Sequence, residues 1–270
     1  MGAGCPGAFP GTVLKYCPMG KHMFYKAMLK FVERRLGRED SGTMLEEIFE
    51  KYSGNSAKQG QYHSLSDGKL LCVADLHSFF PEDRARAKEL DFSRYTAVIF
   101  LGDIKKNDAA YIAGLVPEGV PCLYVYGNHD EPGQYEQIHG LINIEGKRYV
   151  LKNGLTIGGT GGSRPVKNAD TVSQLSTKSE RETRKALKKV GNVDILVTHE
   201  SPFHLMDIGQ THSGYRAFTK YIRKNSPTLH IFGHHHWPCS QMVQDTNCIC
   251  VYKFEEVDLK TGKAFQLPGF

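Results

Sequence analysis

A chain of 270 residues is long enough for one sizeable α/β domain plus extensions. Its hydrophobic content of 40% and charged content of 23% are ordinary for a globular protein, and no apolar stretch approaches the roughly 20 residues of a bilayer span. The formal charge of +5 suits a polyanionic or phosphorylated substrate without demanding nucleic acid, and the basic stretch 181–189 lacks the interleaved aromatics of a nucleic-acid stripe. The start lacks the basic segment and apolar core of a secretory signal, and Pro6 stands where myristoylation wants Ser or Thr. The cysteines number seven, and Cys72 and Cys122 fall inside predicted buried strands. This fits the reduced thiols of a cytoplasmic protein better than a disulfide framework. Cys239, Cys248 and Cys250 form no CxxC pair, so a structural zinc site is not expected there.

In chain order, residues 1–20 are rich in Gly and Pro and read as an irregular leader. Met23, Phe24, Ala27, Met28, Phe31 and Val32 recur at helical spacing, and Thr43-Met44-Leu45-Glu46 resembles a capping box opening a second helix. Ser53 to Gly68 is a polar linker. The expected organisation is therefore a leader and helical extension over 1–68 and a functional domain over 69–270. From Lys69 strands and helices alternate, with helices over Pro81–Leu90, Asp108–Leu115 and Ser173–Val190. Asn153-Gly154 signals a hairpin between Arg148–Leu151 and Leu155–Ile157, and Cys248 to Phe265 reads as a hairpin around Lys260-Thr261-Gly262-Lys263. Parallel βαβ units followed by antiparallel strands predict a two-sheet α/β sandwich flanked by helices.

Five apolar runs in this domain end in metal-ligand residue types. Leu70–Ala74 precedes Asp75 and His77, and Ala97–Leu101 precedes Gly102-Asp103. Cys122–Tyr126 precedes Gly127-Asn128-His129-Asp130, Ile195–Val197 precedes Thr198-His199, and Leu229–Phe232 precedes Gly233-His234-His235-His236. Such short runs read as buried strands, and an α/β sheet binds ligands beyond the carboxyl ends of its strands. Each residue alone has a structural use: Asp caps helices, Gly-Asn-His-Asp makes a turn, and a His triplet can be a polar surface run. Yet six of the twelve histidines fall directly behind these strands, and clustered ligand types mark a site.

These blocks, in this order, resemble the motifs of the calcineurin-like metallophosphoesterase superfamily, from about Lys69 to the C-terminus. The Thr198-His199-Glu200-Ser201-Pro202 block, the Thr211-His212-Ser213-Gly214 block and the Gly158–Ser163 run are most similar to small bacterial and phage-type phosphoesterases. The resemblance implies an αββα fold and a binuclear centre. Asp103 would bridge, with Asp75, His77 and His236 on one metal and Asn128, His199 and His234 on the other. Two cations about 3.5–4 Å apart would activate a bridging hydroxide and clamp the ester oxygens. Mixed imidazole and carboxylate ligands favour Mn, Fe, Co, Ni or Zn over Ca or Mg, with manganese the first expectation. His129 is implied beside the metals, protonating the leaving oxygen or stabilising the phosphoryl charge, with Asp130 orienting it. His235 is implied not to be a ligand, and His212 either reaches the substrate or belongs to a surface loop. Ile104-Lys105-Lys106-Asn107 stands where protein Ser/Thr phosphatases carry a phosphate-gripping Arg, so a phosphoprotein phosphatase is not expected. Lys105 and Lys106 offer phosphate contacts, although loop lysines are mostly solvated. The expectation is a phosphodiesterase or phosphatase on a small, nucleotide or cyclic-nucleotide ester. The rival reading is a non-catalytic scaffold on the same fold, against which the complete ligand set and His129 argue.

Overall fold

A computed structural model describes residues 62–165, 175–203, 205 and 214–270. The chain divides into Met1–Lys58 and Gln59–Phe270. The predicted N-terminal helices, the capping box at Thr43 and His212 lie outside the described residues.

The strands are β1 (Lys69–Ala74), β2 (Ala97–Phe100), β3 (Cys122–Tyr124), β4 (Leu141–Asn143), β5 (Lys147–Val150), β6 (Thr156–Thr160), β7 (Ile195–Thr198), β8 (Leu229–Phe232), β9 (Cys239–Val243), β10 (Thr246–Cys250), β11 (Lys253–Asp258) and β12 (Ala264–Gln266). The helices are α1 (Pro81–Glu89), α2 (Lys106–Leu115), α3 (Glu180–Val190) and α4 (Arg216–Asn225). One sheet runs β12-β11-β1-β2-β3-β4 and the other β5-β6-β7-β8-β10-β9. Two mixed sheets with four flanking helices form the α/β sandwich that the strand pattern predicts.

The strand sequences explain the layering. In β1, Leu70, Cys72 and Ala74 enter one buried cluster while Leu71 and Val73 enter another. Successive strand side chains point to opposite faces, so a strand covered on both sides must be apolar throughout. The first cluster joins the two sheets through Ile99, Leu123, Val197, Ile231 and Ile249. The second meets α2 through Ala109 and Ile112, and a third packs Leu187 of α3 and Phe218 of α4 against Leu196 of β7. Tyr62 and Leu65, ahead of the expected boundary at Lys69, also pack on the inter-sheet core. The Tyr62 hydroxyl donates to the Leu259 carbonyl at 2.6 Å.

Three elements differ from expectation. The helix predicted over Ser173–Val190 begins at Glu180, because Ser179 and Glu182 form a reciprocal capping box. Just before it, Ser176 N–H donates to the Asn128 carbonyl at 3.2 Å and Lys178 N–H to the Ser163 carbonyl at 3.0 Å. The C-terminal segment is split between the sheets. There β10 runs parallel to β8, while β11 pairs antiparallel with β1, and only β11 and β12 form the hairpin at Lys260–Lys263. The structure also adds β4, β9 and α4, where the sequence reading assigned no element. The Asn153-Gly154 hairpin forms as expected, with Val150 opposite Thr156.

Candidate metal centre

The strands β1, β2 and β3 are mutually parallel, as are β7 and β8, so each group releases its following residues at one sheet edge. Asp75, Asp103 and Asn128 come from one sheet; His199, His234 and His236 come from the other. Asp75, Asp103, His234 and His236 all adopt positive φ, at 56°, 55°, 68° and 53°. A left-handed conformation costs a non-Gly residue on the order of 1–2 kcal/mol, and such outliers concentrate at functional sites. Packing of the loops sustains the strain. A Cβ on Gly127 would stand 2.0 Å from Asp103 Oδ1, and one on Gly102 would stand 2.1 Å from the Gly127 nitrogen. Only glycine lets the loops after β2 and β3 approach so closely.

Two groups of ligand atoms result: Asp75, His77 and His236, and Asp103, His199 and His234, each within 4.8 Å of one another. In the first, His77 Nε2 lies 3.0 Å from His236 Nε2, which lies 3.5 Å from Asp75 Oδ1. That Oδ1 is buried without a hydrogen-bond partner among the described residues, while Oδ2 accepts from the His234 amide at 2.9 Å. In the second, His199 Nε2 lies 3.0 Å from Asn128 Oδ1, 3.2 Å from His234 Nδ1 and 3.4 Å from Asp103 Oδ2. Asp103 acts electrostatically on His199 in one group and on His77 and His236 in the other.

The Nδ1 of His199 faces the Leu101 carbonyl at 2.8 Å. A proton there leaves the Nε2 lone pair aimed at the Asn, Asp and His acceptors. So many lone pairs converging in a buried place require positive charge. Burial disfavours a charged His199, yet Asp103 and Asp75 hold its pKa up at about 10. Burial likewise opposes an ionised Asp103, but the His199 imidazole and the His129 amide hold its carboxyl well below the usual range. Oxygen and imidazole donors without thiolate fit divalent transition-metal ions. The residues present therefore fit the two cations that the sequence resemblance implies.

His129 is exposed beside both groups. Its amide donates to Asp103 Oδ1 at 2.8 Å, its Nε2 stands 3.9 Å from Asp103 Oδ2, and its ring meets His77 edge-on with centroids 5.3 Å apart. Asp130 is buried and accepts from the amides of Gly127 (2.7 Å), Asp103 (2.8 Å) and Ile104 (3.3 Å), from the Gln134 amide (2.7 Å) and from the Tyr135 hydroxyl (2.8 Å). None of these bonds reaches the His129 ring; they tie the loop after β2 to the loop after β3. Burial and the neighbouring Asp103 raise the Asp130 pKa to about 6. His235 belongs to neither ligand group and lies 3.4 Å from Glu200 Oε1.

Glu200 is the residue that sequence reasoning passed over. It is fully buried, with Oε2 3.3 Å from His234 Nε2 and Oε1 accepting from the Ser201 amide at 2.9 Å. Burial alone would raise its pKa, but His234 and His235 hold it down at about 2. A carboxylate behind one imidazole nitrogen turns the other toward the site. Its position next to His199, in a block already singled out, was the available signal. Among the described residues no cysteine joins either ligand group. Cys239 pairs with Cys250 across β9 and β10, and the Cys250 thiol donates to the Gly233 carbonyl at 3.6 Å.

A two-sheet sandwich with carboxylate and imidazole groups at the shared strand ends defines a metallophosphoesterase-type protein. The family model of the calcineurin-like phosphoesterase superfamily domain matches residues 69–252, and the chain belongs to that superfamily. No curated protein matches it. Among solved structures, the protein TT1561 of Thermus thermophilus is similar at a TM-score of 0.56 and 16% identity, covering 74% of this chain and 98% of that one. A second solved structure matches at a TM-score of 0.58 and 14% identity, with the same coverage. At such identities the likeness speaks to the fold alone. No described helix is long and apolar enough to cross a membrane.

Proposed function

We propose that this protein hydrolyses phosphate esters at a binuclear centre held by Asp75, His77, Asp103, Asn128, His199, His234 and His236, with Asp103 shared between the two ions. The chemistry is assigned to the segment from Lys69 onward, since every proposed ligand lies there. The single observation that carries the reading is that two three-residue ligand groups, one built on Asp75 and one on Asp103, meet where the sheets' parallel strands end. Divalent ions bound there would supply a nucleophile at neutral pH and offset the phosphoryl charge. The chain's own residues supply the rest. Asp130 fixes the loops bearing Asp103 and Asn128. Glu200 and the Leu101 carbonyl orient His234 and His199. His129, half-exposed beside Asp103 and His77, is in position to donate a proton to the departing oxygen. Manganese is the first candidate, and the substrate is a small or nucleotide-like mono- or diester.

The test is a metal titration with and without bis(p-nitrophenyl) phosphate. Binding of two equivalents of Mn with metal-dependent release of nitrophenol is expected. Metal binding without turnover on mono-, di- and cyclic esters would favour a binding platform instead.

A further inference from the structure

Beyond the metal centre lies a cavity of about 370 Å³, lined by Phe79, Arg84, Lys105, Lys106, Asn107 and Asp108. That volume falls in the range of small-molecule sites. Its walls continue the two loops that carry the first ligands. Leu76 and Ile104 pair as a parallel bridge, so the loops after β1 and β2 run side by side. Phe79 follows His77 by two residues and Lys105 follows Asp103 by two, which at extended-chain spacing is at most about 7 Å.

The charge in the cavity is organised. The Arg84 guanidinium bonds to buried Asp108 at 2.7 Å, and stands 5.8 Å from the Phe79 ring centre and 5.0 Å from that of Tyr111. It is held rigid while its remaining N–H donors stay available, and a guanidinium suits phosphate geometry. The Lys105 ammonium is exposed and has no hydrogen-bond or ion-pair partner among the described residues. Among the described residues Lys106 reaches only the neutral Gln137 side chain, at 3.0 Å. Three cations face one carboxylate that is already committed. The metal centre uses none of them.

We propose that this cavity binds a second phosphoryl group, carried on the organic part of the ester whose other phosphate meets the metals. The substrate class is then a phosphate ester bearing a further phosphate. This rests on the functional reading above and narrows it.

A matched pair of chromogenic esters tests it: thymidine 5′-(p-nitrophenyl phosphate) and its 3′-phosphorylated counterpart, given to the full-length Mn-loaded enzyme. The two share the scissile bond and leaving group and differ only in the distal phosphate. The 3′-phosphorylated ester is expected to show kcat/KM about ten-fold higher, mainly through KM, as one or two charge-assisted hydrogen bonds would provide. Lys105→Ala and Arg84→Gln should each draw that ratio toward one. In parallel, calorimetry should find thymidine 3′,5′-bisphosphate bound about ten-fold more tightly than thymidine 5′-phosphate, with the difference lost in Lys105→Ala. A wild-type ratio near one in both measurements overturns the proposal, and so does a ratio that survives both substitutions. If neither ester is cleaved, the hydrolytic reading fails, and the calorimetric comparison still decides for or against the cavity.

Discussion

His77 Nε2 and His236 Nε2 stand 3.0 Å apart although 159 residues separate them in the chain. Two imidazole nitrogens that close share either one proton or one cation. Burial and His236 push the His77 pKa down, which keeps its lone pair available to a cation, while Asp75 raises that of His236. Removing bound metal with a chelator should therefore destabilise the domain. Saturation at about 100 times the dissociation constant contributes about 2.7 kcal/mol, equivalent to about 5–10 °C in Tm for a domain of this size. His236→Ala should lower the bound metal from two equivalents to one. A Tm indifferent to chelator, or unchanged stoichiometry, would refute the assignment.

His129→Ala should keep both metals but lose turnover according to the leaving group. General acid catalysis is typically worth about 10²–10⁴-fold, and the benefit shrinks when the departing oxygen is already acidic. The loss should be large on an alkyl ester and smaller on a nitrophenyl ester. Equal losses would assign His129 to phosphate positioning, and loss of metal would make it a ligand.

Glu200→Gln should weaken metal binding without removing a ligand. Loss of an orienting carboxylate behind a metal-binding imidazole typically reduces affinity by about 10–100-fold. A Mn titration measures this directly. An unchanged dissociation constant would mean that His234 is oriented by other contacts.

Asp130→Asn should destabilise the fold. Asparagine would turn an amide group toward N–H donors that now meet a carboxylate oxygen, leaving buried groups unsatisfied at about 1–3 kcal/mol each. Urea denaturation should show a loss of about 2–3 kcal/mol. A loss below about 0.5 kcal/mol, the ordinary scatter of surface substitutions, would contradict the loop-tying role.

His230 makes stability depend on pH. Its Nε2 meets the Thr198 hydroxyl at 2.7 Å, and burial pushes its pKa down to about 3 from an ordinary 6.5. The folded state keeps it neutral, whereas the unfolded chain protonates it below pH 6.5. Its contribution is thus present above pH 6.5 and declines as pH falls toward 3. Between pH 6.5 and 5 the loss is about 2 kcal/mol. Denaturation at pH 7 and pH 5 should show wild type losing about 2 kcal/mol more stability than His230→Leu over that interval. Parallel pH dependences would exclude His230 as the source.

The proposed ligand residues were legible in the sequence because they stand directly behind apolar runs. A strand buried on both faces must be apolar along its length, so the first polar residue after it marks the sheet edge. Leu70–Ala74 before Asp75 follows that rule, and Ile195–Val197 before Thr198-His199 follows it with one buried threonine between. The Asn153-Gly154 hairpin was legible for a similarly local reason, the demand of a tight turn for particular residues. Local pattern failed where partners are distant. Nothing around Cys248 tells that β10 and β11 part into different sheets, because both strands are largely buried. Nor does the pattern near Ser173 show that Ser176 bonds to Asn128 and delays the helix to Glu180. The sequence alone thus determined which residue types stand at the strand ends and in what order. Tertiary structure decided that His77 meets His236 and His199 meets Asn128, that Glu200 lies behind His234, and that Asp130 serves loop backbones. The pairings of His77 with His236 and of His199 with Asn128 span up to 159 residues, and the packing of two sheets across one core brings them within hydrogen-bonding distance.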